Sequence, residues 1–308
     1  MNLRKILMTS ICALFILAGN AWTDKTTISG LFLGVPIGAK PTALGGAYTA
    51  LAEGVYGLYW NPAGIAKTEK TEILFAHNNY FQDVNQQYLG ITHKLKNKHN
   101  IGLAANILDN GDFDGTLIID PTSHQNTGRF SAKDYAISFS YAVEWKKNGS
   151  FGGSLKYIKS QIKDSKATAV AFDIGWQMTQ EIKETPILFG FTVSNIGSKM
   201  KFDREREELP LTGRFGISSR FDATEYLCII PTIDNVLMTN DKYRLNAGVD
   251  LEFFKNYSLR AGYNDFNELS SGITLGFGAT FSKLTVDYSY SDFGDLKNSH
   301  IFSVLYKF

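Results

Sequence analysis

The run YRLNAGVDLEF, residues 243–253, decides the fold: Tyr243, Leu245, Ala247, Val249, Leu251 and Phe253 alternate with Arg244, Asn246, Gly248, Asp250 and Glu252. A period of two puts the first set on one face of a strand and the second on the other. One face suits hydrocarbon, the other water. The pattern returns as Ile273, Leu275, Phe277, Ala279 and Phe281 against Thr274, Gly276, Gly278 and Thr280. It returns again as Leu284, Val286, Tyr288 and Tyr290 against Thr285, Asp287, Ser289 and Ser291.

Working outward, the alternation predicts fourteen strands: 72–81, 86–95, 99–109, 132–145, 149–160, 166–178, 185–196, 209–221, 225–237, 242–254, 256–264, 271–281, 283–291 and 298–308. Joins after odd-numbered strands form the longer set: Gln82–Asn85, Asn110–Ser131, Gln161–Ser165, Gly197–Glu208, Met238–Asp241, Asp265–Ser270 and Asp292–Lys297. Joins after even-numbered strands are short: Lys96–Lys98, Lys146–Asn148, Thr179–Glu184, Asp222–Thr224, Lys255 and Ser282. Outer-membrane barrels have short periplasmic turns and longer outside loops, and an even strand count returns both termini to the periplasm. The expected class is all-β: a 14-stranded antiparallel transmembrane β-barrel in the outer membrane of a Gram-negative-type bacterium. The final strand agrees, since His300, Phe302, Val304, Tyr306 and Phe308 share a face and the chain ends on an aromatic. Tyr135, Trp145, Tyr257, Tyr263 and Tyr290 lie near strand ends, where interfacial girdles form. A soluble sandwich or propeller is the structural alternative.

The chain opens Met1-Asn2-Leu3-Arg4-Lys5, runs apolar from Ile6 to Ala18, and continues Gly19-Asn20-Ala21. A basic start, a short apolar core and a small-x-small site are the parts of a secretory signal peptide, so residues 1–21 are expected to be cleaved after Ala21. The apolar run is shorter than the ~20 residues of a spanning helix. Cleavage removes Cys12 and leaves Cys228 alone, without a partner for an internal disulfide. A net charge of +1 supplies no basic footprint for nucleic acid. Mean hydropathy of −0.12 excludes a helical membrane protein but not a barrel, in which every second residue faces lipid.

Upstream of the first strand, Gly30 to Lys70 does not alternate, and it is rich in Gly, Ala and aromatics. Pro41 suits the first turn of a helix, Leu44, Ala47, Tyr48 and Leu51 recur at helical spacing, and Gly54 is a stop. Gly45 and Gly46 inside such a helix cost about 1 kcal/mol each, which close approach to a wall would offset. Asn61-Pro62 reads as a turn. The element Ala43-Leu44-Gly45-Gly46-Ala47-Tyr48, followed by Trp60-Asn61-Pro62-Ala63-Gly64, resembles the N-terminal signature of FadL-type outer-membrane proteins, and more closely that of their PorV/PorQ branch. The resemblance implies that residues 22–70 form a hatch inside a barrel of residues 71–308, with Gly45, Gly46, Tyr48, Trp60, Asn61, Pro62, Ala63 and Gly64 as its motif. It further implies an accessory role in type IX protein secretion, with a secreted cargo protein or translocon as partner beside outer-membrane lipid. The alternative it implies is a FadL-like transporter of a hydrophobic ligand. FadL transporters are longer, with large outside loops, whereas the join Asn110–Ser131 is polar, with Asp112, Asp114, Asp120, Ser123, His124 and Gln125.

The inward faces carry Glu144, Lys156, Asp173, Arg214, Arg220, Arg244, Asp250, Glu252, Arg260 and Asp287. Both signs on neighbouring strands point to an internal ion-pair network, since buried charges survive when paired. The sharper reading takes Arg214, Arg244 or Arg260, near Asp250, as the bidentate holder of a ligand carboxylate. His77, His93, His99, His124 and His300 are scattered without metal-ligand spacing or a nucleophile motif. Gly45-Gly46 lacks the Lys-Ser/Thr of a phosphate loop. No catalytic residue, metal or cofactor is expected.

Overall fold

Period-2 alternation produces fourteen full strands, which we number β1 (Thr71–Asn79), β2 (Asn85–Lys94), β3 (His99–Asp120), β4 (Ser123–Trp145), β5 (Gly149–Ile162), β6 (Ser165–Ile182), β7 (Thr185–Gly197), β8 (Thr212–Ser219), β9 (Leu227–Met238), β10 (Arg244–Phe253), β11 (Tyr257–Asn264), β12 (Ile273–Phe281), β13 (Leu284–Ser291) and β14 (Ser299–Lys307). These come from a computed structural model that describes residues 27–80, 84–96, 98–120, 123–145, 148–202, 205–241, 243–265, 271–294 and 298–308. The expected signal peptide lies outside the described residues.

Each strand pairs antiparallel with its sequence neighbours, β8 joining β7 to β9. β1 pairs with β14 from Glu72↔Lys307 to Asn79↔His300, so the sheet closes. Closure leaves no edge, which hydrocarbon demands because it offers an unpaired backbone group nothing to bond. The outer surface is apolar at the predicted positions: Leu103, Ile137, Leu155, Leu259, Leu275 and Phe302 are all exposed. Among the described residues no helix could cross a membrane; the strands do.

Four expectations need correction. Asn110–Ser131 is not a loop, because β3 and β4 run on as a ribbon to Asp120 and from Ser123. Its register slips near Asp109, Gly115 and Ile118, and with solvent on both faces no hydrophobic alternation marks it. The join after β7 is not plain loop either: it holds a small hairpin, Met200–Phe202 with Glu205–Glu207. The helix expected from Pro41 to Gly54 is only Ala39–Ala43. Gly45 and Gly46, at φ of 67° and 74°, end it, with their N–H groups returning to Thr42 O and Pro41 O at 3.0 Å, a Schellman closure. Finally, the start of the described chain does not share an end with its last residue. Thr71 and Phe308 do, but Ser29 N–H donates to Glu208 O at 2.9 Å, which puts the start of the described chain at the long-join end.

Residues 27–70 therefore run the length of the lumen. At the long-join end, Phe32 and Leu33 pack with Met200 and Leu209 of the β7–β8 join and with Leu108 and Ile158 of the wall. Deeper, Leu44, Tyr48, Val55, Trp60 and Ile65 form a second core. Tyr48 meets Tyr56 and Trp60 edge-on, at ring-centre distances of 5.8 and 6.1 Å.

Candidate functional site: the barrel lumen

The luminal segment is a series of short helical turns, Leu31–Gly34, Ala39–Ala43, Gly54–Tyr56, Gly57–Trp60 and Pro62–Lys67, too short to pair most of their own backbone groups, which must find partners elsewhere. The inward polar side chains supply them. Asp234 Oδ2 accepts from Tyr48 N, Thr49 N and Thr49 Oγ1 at 3.1, 2.9 and 2.5 Å. Gln177 Nε2 donates to Thr49 O and Ala52 O at 3.0 and 2.8 Å. Thr232 Oγ1 donates to Ala47 O at 2.9 Å, and Thr274 Oγ1 to Ala43 O at 3.0 Å. Asn100 Nδ2 donates to Ile65 O and Thr68 O at 2.8 and 2.9 Å. None of these wall residues stood out in the sequence, because Thr, Asn, Gln and Asp at inward positions read simply as wet.

The second requirement is space. A Cβ on Gly152 would lie 2.3 Å from Pro62 O, on Gly190 2.3 Å from Thr49 O, and on Gly262 2.2 Å from Gly45 N. A Cβ on Gly175 or Gly276 would lie 2.1 Å from Asn61 Oδ1 or 2.3 Å from Ala43 Cβ, and one on Gly248 or Gly216 would lie 2.6 Å from Leu44 O or 2.9 Å from Ala50 N. Gly152↔Gly175, Gly190↔Gly216 and Gly248↔Gly262 are register partners, so bare positions come in facing pairs on neighbouring strands, separated by the polar residues Thr192, Asp234 and Thr232. That periodicity is visible in the sequence only once the pairing is known.

The motif residues pack against this wall. A Cβ on Gly45 would lie 2.3 Å from Tyr263 O, and Gly46 lies against Trp60 and Asn246. Asn61 is fully buried; its Oδ1 accepts from Ala63 N at 3.1 Å, and its Nδ2 donates to Thr49 O and Trp176 O at 3.0 and 3.2 Å. Pro62 and Ala63 rest on Gly152, and Gly64 lies against Ala52 O. Trp60 Nε1 donates to Ile37 O at 2.9 Å. Asp234→Ala would orphan two buried N–H groups and a hydroxyl. It is expected to loosen the segment by about 2 kcal/mol, read as faster tryptic cutting at Lys67 in a barrel that stays heat-modifiable on gels.

The four charged candidates fall into two places. Arg260 bridges two carboxylates, Nε to Asp250 Oδ2 at 2.9 Å and Nη1 to Asp287 Oδ1 at 2.6 Å. Asp250 is its register partner on β10, but Asp287 lies beyond β12. Gly278 clears the way, since a Cβ there would sit 2.4 Å from Asp287 Oδ1 and 2.7 Å from Arg260 Nη1. Tyr56 OH donates to the other Asp287 oxygen at 3.3 Å, tying the segment to this network. All three charged groups are buried, so Arg260 and Asp250 are committed to structure.

Arg214 and Arg244 instead line a cavity between the segment and the wall. The cavity is open to solvent at its mouth. Its apolar lining comes from Leu33, Ile37, Leu58, Tyr59, Tyr88, Met238 and Val236, and its polar lining from Lys156, Asp173, Asn195, Arg214 and Arg244; Val236 is the register partner of both arginines, so apolar and charged groups are interleaved on the wall. Lys156 Nζ pairs with Asp173 Oδ1 at 2.8 Å, and Arg244 pairs with Asp241. Arg214 stacks over Trp60 at 5.2 Å. Tyr59 OH donates a hydrogen bond shared between Leu33 O and Val35 O, at 3.0 and 2.9 Å. Of the aromatics Tyr48, Tyr59 and Trp60, only Tyr59 reaches the cavity. Among the described residues no group of His, Cys, Asp and Glu could hold a metal ion.

Residues 22–307 match the family described as "Uncharacterised protein family (UPF0164)". No curated protein matches. Among solved structures, the CymD monoaromatic hydrocarbon channel superposes with a TM-score of 0.61 at 13% identity, over 89% of this chain and 98% of its own. The Ralstonia pickettii toluene transporter TbuX gives 0.60 at 11%, covering 88% and 98%. A Pseudomonas aeruginosa FadL homologue gives 0.50 at 10%, covering 93% and 99%. At such identities the likeness is one of fold: a closed 14-strand outer-membrane barrel.

Proposed function

The chain belongs to the UPF0164 family, and on that premise we propose that it is an outer-membrane channel for hydrophobic small molecules, with residues 22–70 as its hatch. The mixed lining of the cavity carries this reading. Its apolar residues suit a hydrocarbon tail, as does the fold it has in common with the hydrocarbon channels. Among its polar residues is Arg214, which among the described residues has no carboxylate in ion-pair range and whose fork suits an anionic head.

The test is binding to the folded barrel in detergent, followed by Trp60 fluorescence, with a medium-chain fatty acid and a neutral hydrocarbon of equal length. Both should bind. Arg214→Gln should weaken the acid about tenfold, the worth of one charge-assisted contact, and leave the hydrocarbon unchanged. Failure of both ligands to bind overturns the channel reading. Deleting residues 30–66 from the protein in planar bilayers should open a steady conductance if the segment is a hatch.

An accessory role in type IX-like secretion, the reading the PorV/PorQ resemblance favours, comes second. The β3–β4 ribbon supports it, since residues 110–131 continue past the ends of β2 and β5. Pull-down of secreted proteins, lost when the ribbon is replaced by a tight turn, would promote it.

A further inference from the structure

At the end of the barrel that carries Thr71 and Phe308, strand joins repeat one small pattern. An exposed apolar residue leads into a lysine: Leu95-Lys96, Ile182-Lys183, Phe254-Lys255 and Phe281-Ser282-Lys283. Lys98, Lys183 and Lys255 sit at φ of 71°, 49° and 62°, left-handed turn positions where Gly or Asn would be at ease. Among the described residues none of Lys96, Lys98, Lys183, Lys255 and Lys283 has an ion-pair partner, and all are exposed. Glu181 and Glu184 are the acidic neighbours of Lys183, and the β8–β9 join at this end departs from the pattern with Asp222 and Glu225. The opposite end differs: its left-handed Lys163 is followed by Asp164, and its other joins bring Asp241, Asp265 and Asp292.

The apolar residue in each pair is the last rung of the lipid-facing surface. The ammonium that follows therefore stands at the depth of the headgroups, its stem along the hydrocarbon boundary. Short joins face the periplasm in barrels of this type. We propose that this rim binds anionic phospholipid headgroups of the inner leaflet, with phosphate oxygens accepting from Lys98, Lys183, Lys255 and Lys283. Lys98, Lys183 and Lys255 in left-handed turn positions, and Lys283 beside left-handed Ser282, have no carboxylate partners among the described residues and gain from such a surface, each adding a similar increment of attraction.

The full chain, refolded into mixed phosphatidylcholine and phosphatidylglycerol bilayers with brominated tails on one lipid at a time, provides the test. Trp145, half exposed at the same rim, reports the lipid beside it through quenching. Phosphatidylglycerol should be enriched about fivefold over its bulk share at low salt, and the enrichment should vanish in about 1 M salt, where the screening length falls to ~3 Å. The quadruple variant Lys98→Asn, Lys183→Asn, Lys255→Asn and Lys283→Asn should show no enrichment. Asn accepts the left-handed conformation, so the variant should fold, as heat modifiability on gels will report; the matching four Lys→Arg changes should keep the preference. Equal quenching by both lipids in the wild type, as expected if the rim serves a soluble acidic partner, overturns the proposal. So does a preference that survives in the Asn variant.

Discussion

Arg260→Met is expected to destabilise the barrel by about 4 kcal/mol, the typical cost of removing one member of a buried ion network. The guanidinium is the counter-charge for both Asp250 and Asp287, at 2.9 and 2.6 Å, and all three groups are buried. Without it two carboxylates remain in the dry space between the wall and Tyr56. Adding Asp250→Asn and Asp287→Asn to Arg260→Met should recover most of the loss, because the uncompensated charge, not the missing contact, dominates. Urea unfolding of the refolded protein in detergent measures both. Equal midpoints for the single and triple variants would sink the argument.

Gly262→Val should be as severe but act differently. Its Cβ would lie 2.2 Å from Gly45 N and 2.3 Å from the Leu44 carbonyl carbon, both main-chain atoms held by the turn at φ of 67° and 74°. A backbone cannot yield as a flexible side chain can, so the clash exceeds ordinary overpacking, which costs roughly 1–3 kcal/mol. The wall is tied by strand pairing on both sides, so the segment should give way first. Trypsin should then reach Lys40 and Lys67 while the barrel still runs as a heat-modifiable band. Ala261→Val, one residue away and facing outward, should change neither readout. Retention of the segment in Gly262→Val would show that its seat is not the set of bare wall positions.

The strands were legible because lipid and lumen impose opposite demands on alternate residues. Where both faces are wet, as in the ribbon around Asp112 and Arg129, that pressure disappears and strand read as loop. Even β1 and β2, whose alternation is interrupted by Asn78 and Asn79, pair without a slip from Thr71↔His93 to Asn79↔Asn85. The lesson for the site is harsher. Gly45 and Gly46 were recognisable as special, but as helix interruptions offset by a wall; the turn they make ends the helix instead. Arg214, Arg244, Asp250 and Arg260 looked equivalent from their inward positions, yet only the first two reach the cavity.

The order of residues alone was enough to settle a fourteen-strand barrel, apolar outside and polar within, because each strand carries its own two-faced pattern and needs no knowledge of its neighbours. Where the leading segment sits, which glycines receive it, and which charges are left facing open space depend on residues brought together across hundreds of positions. Pairing register and the course of an irregular backbone set those meetings, and neither leaves a local period to read.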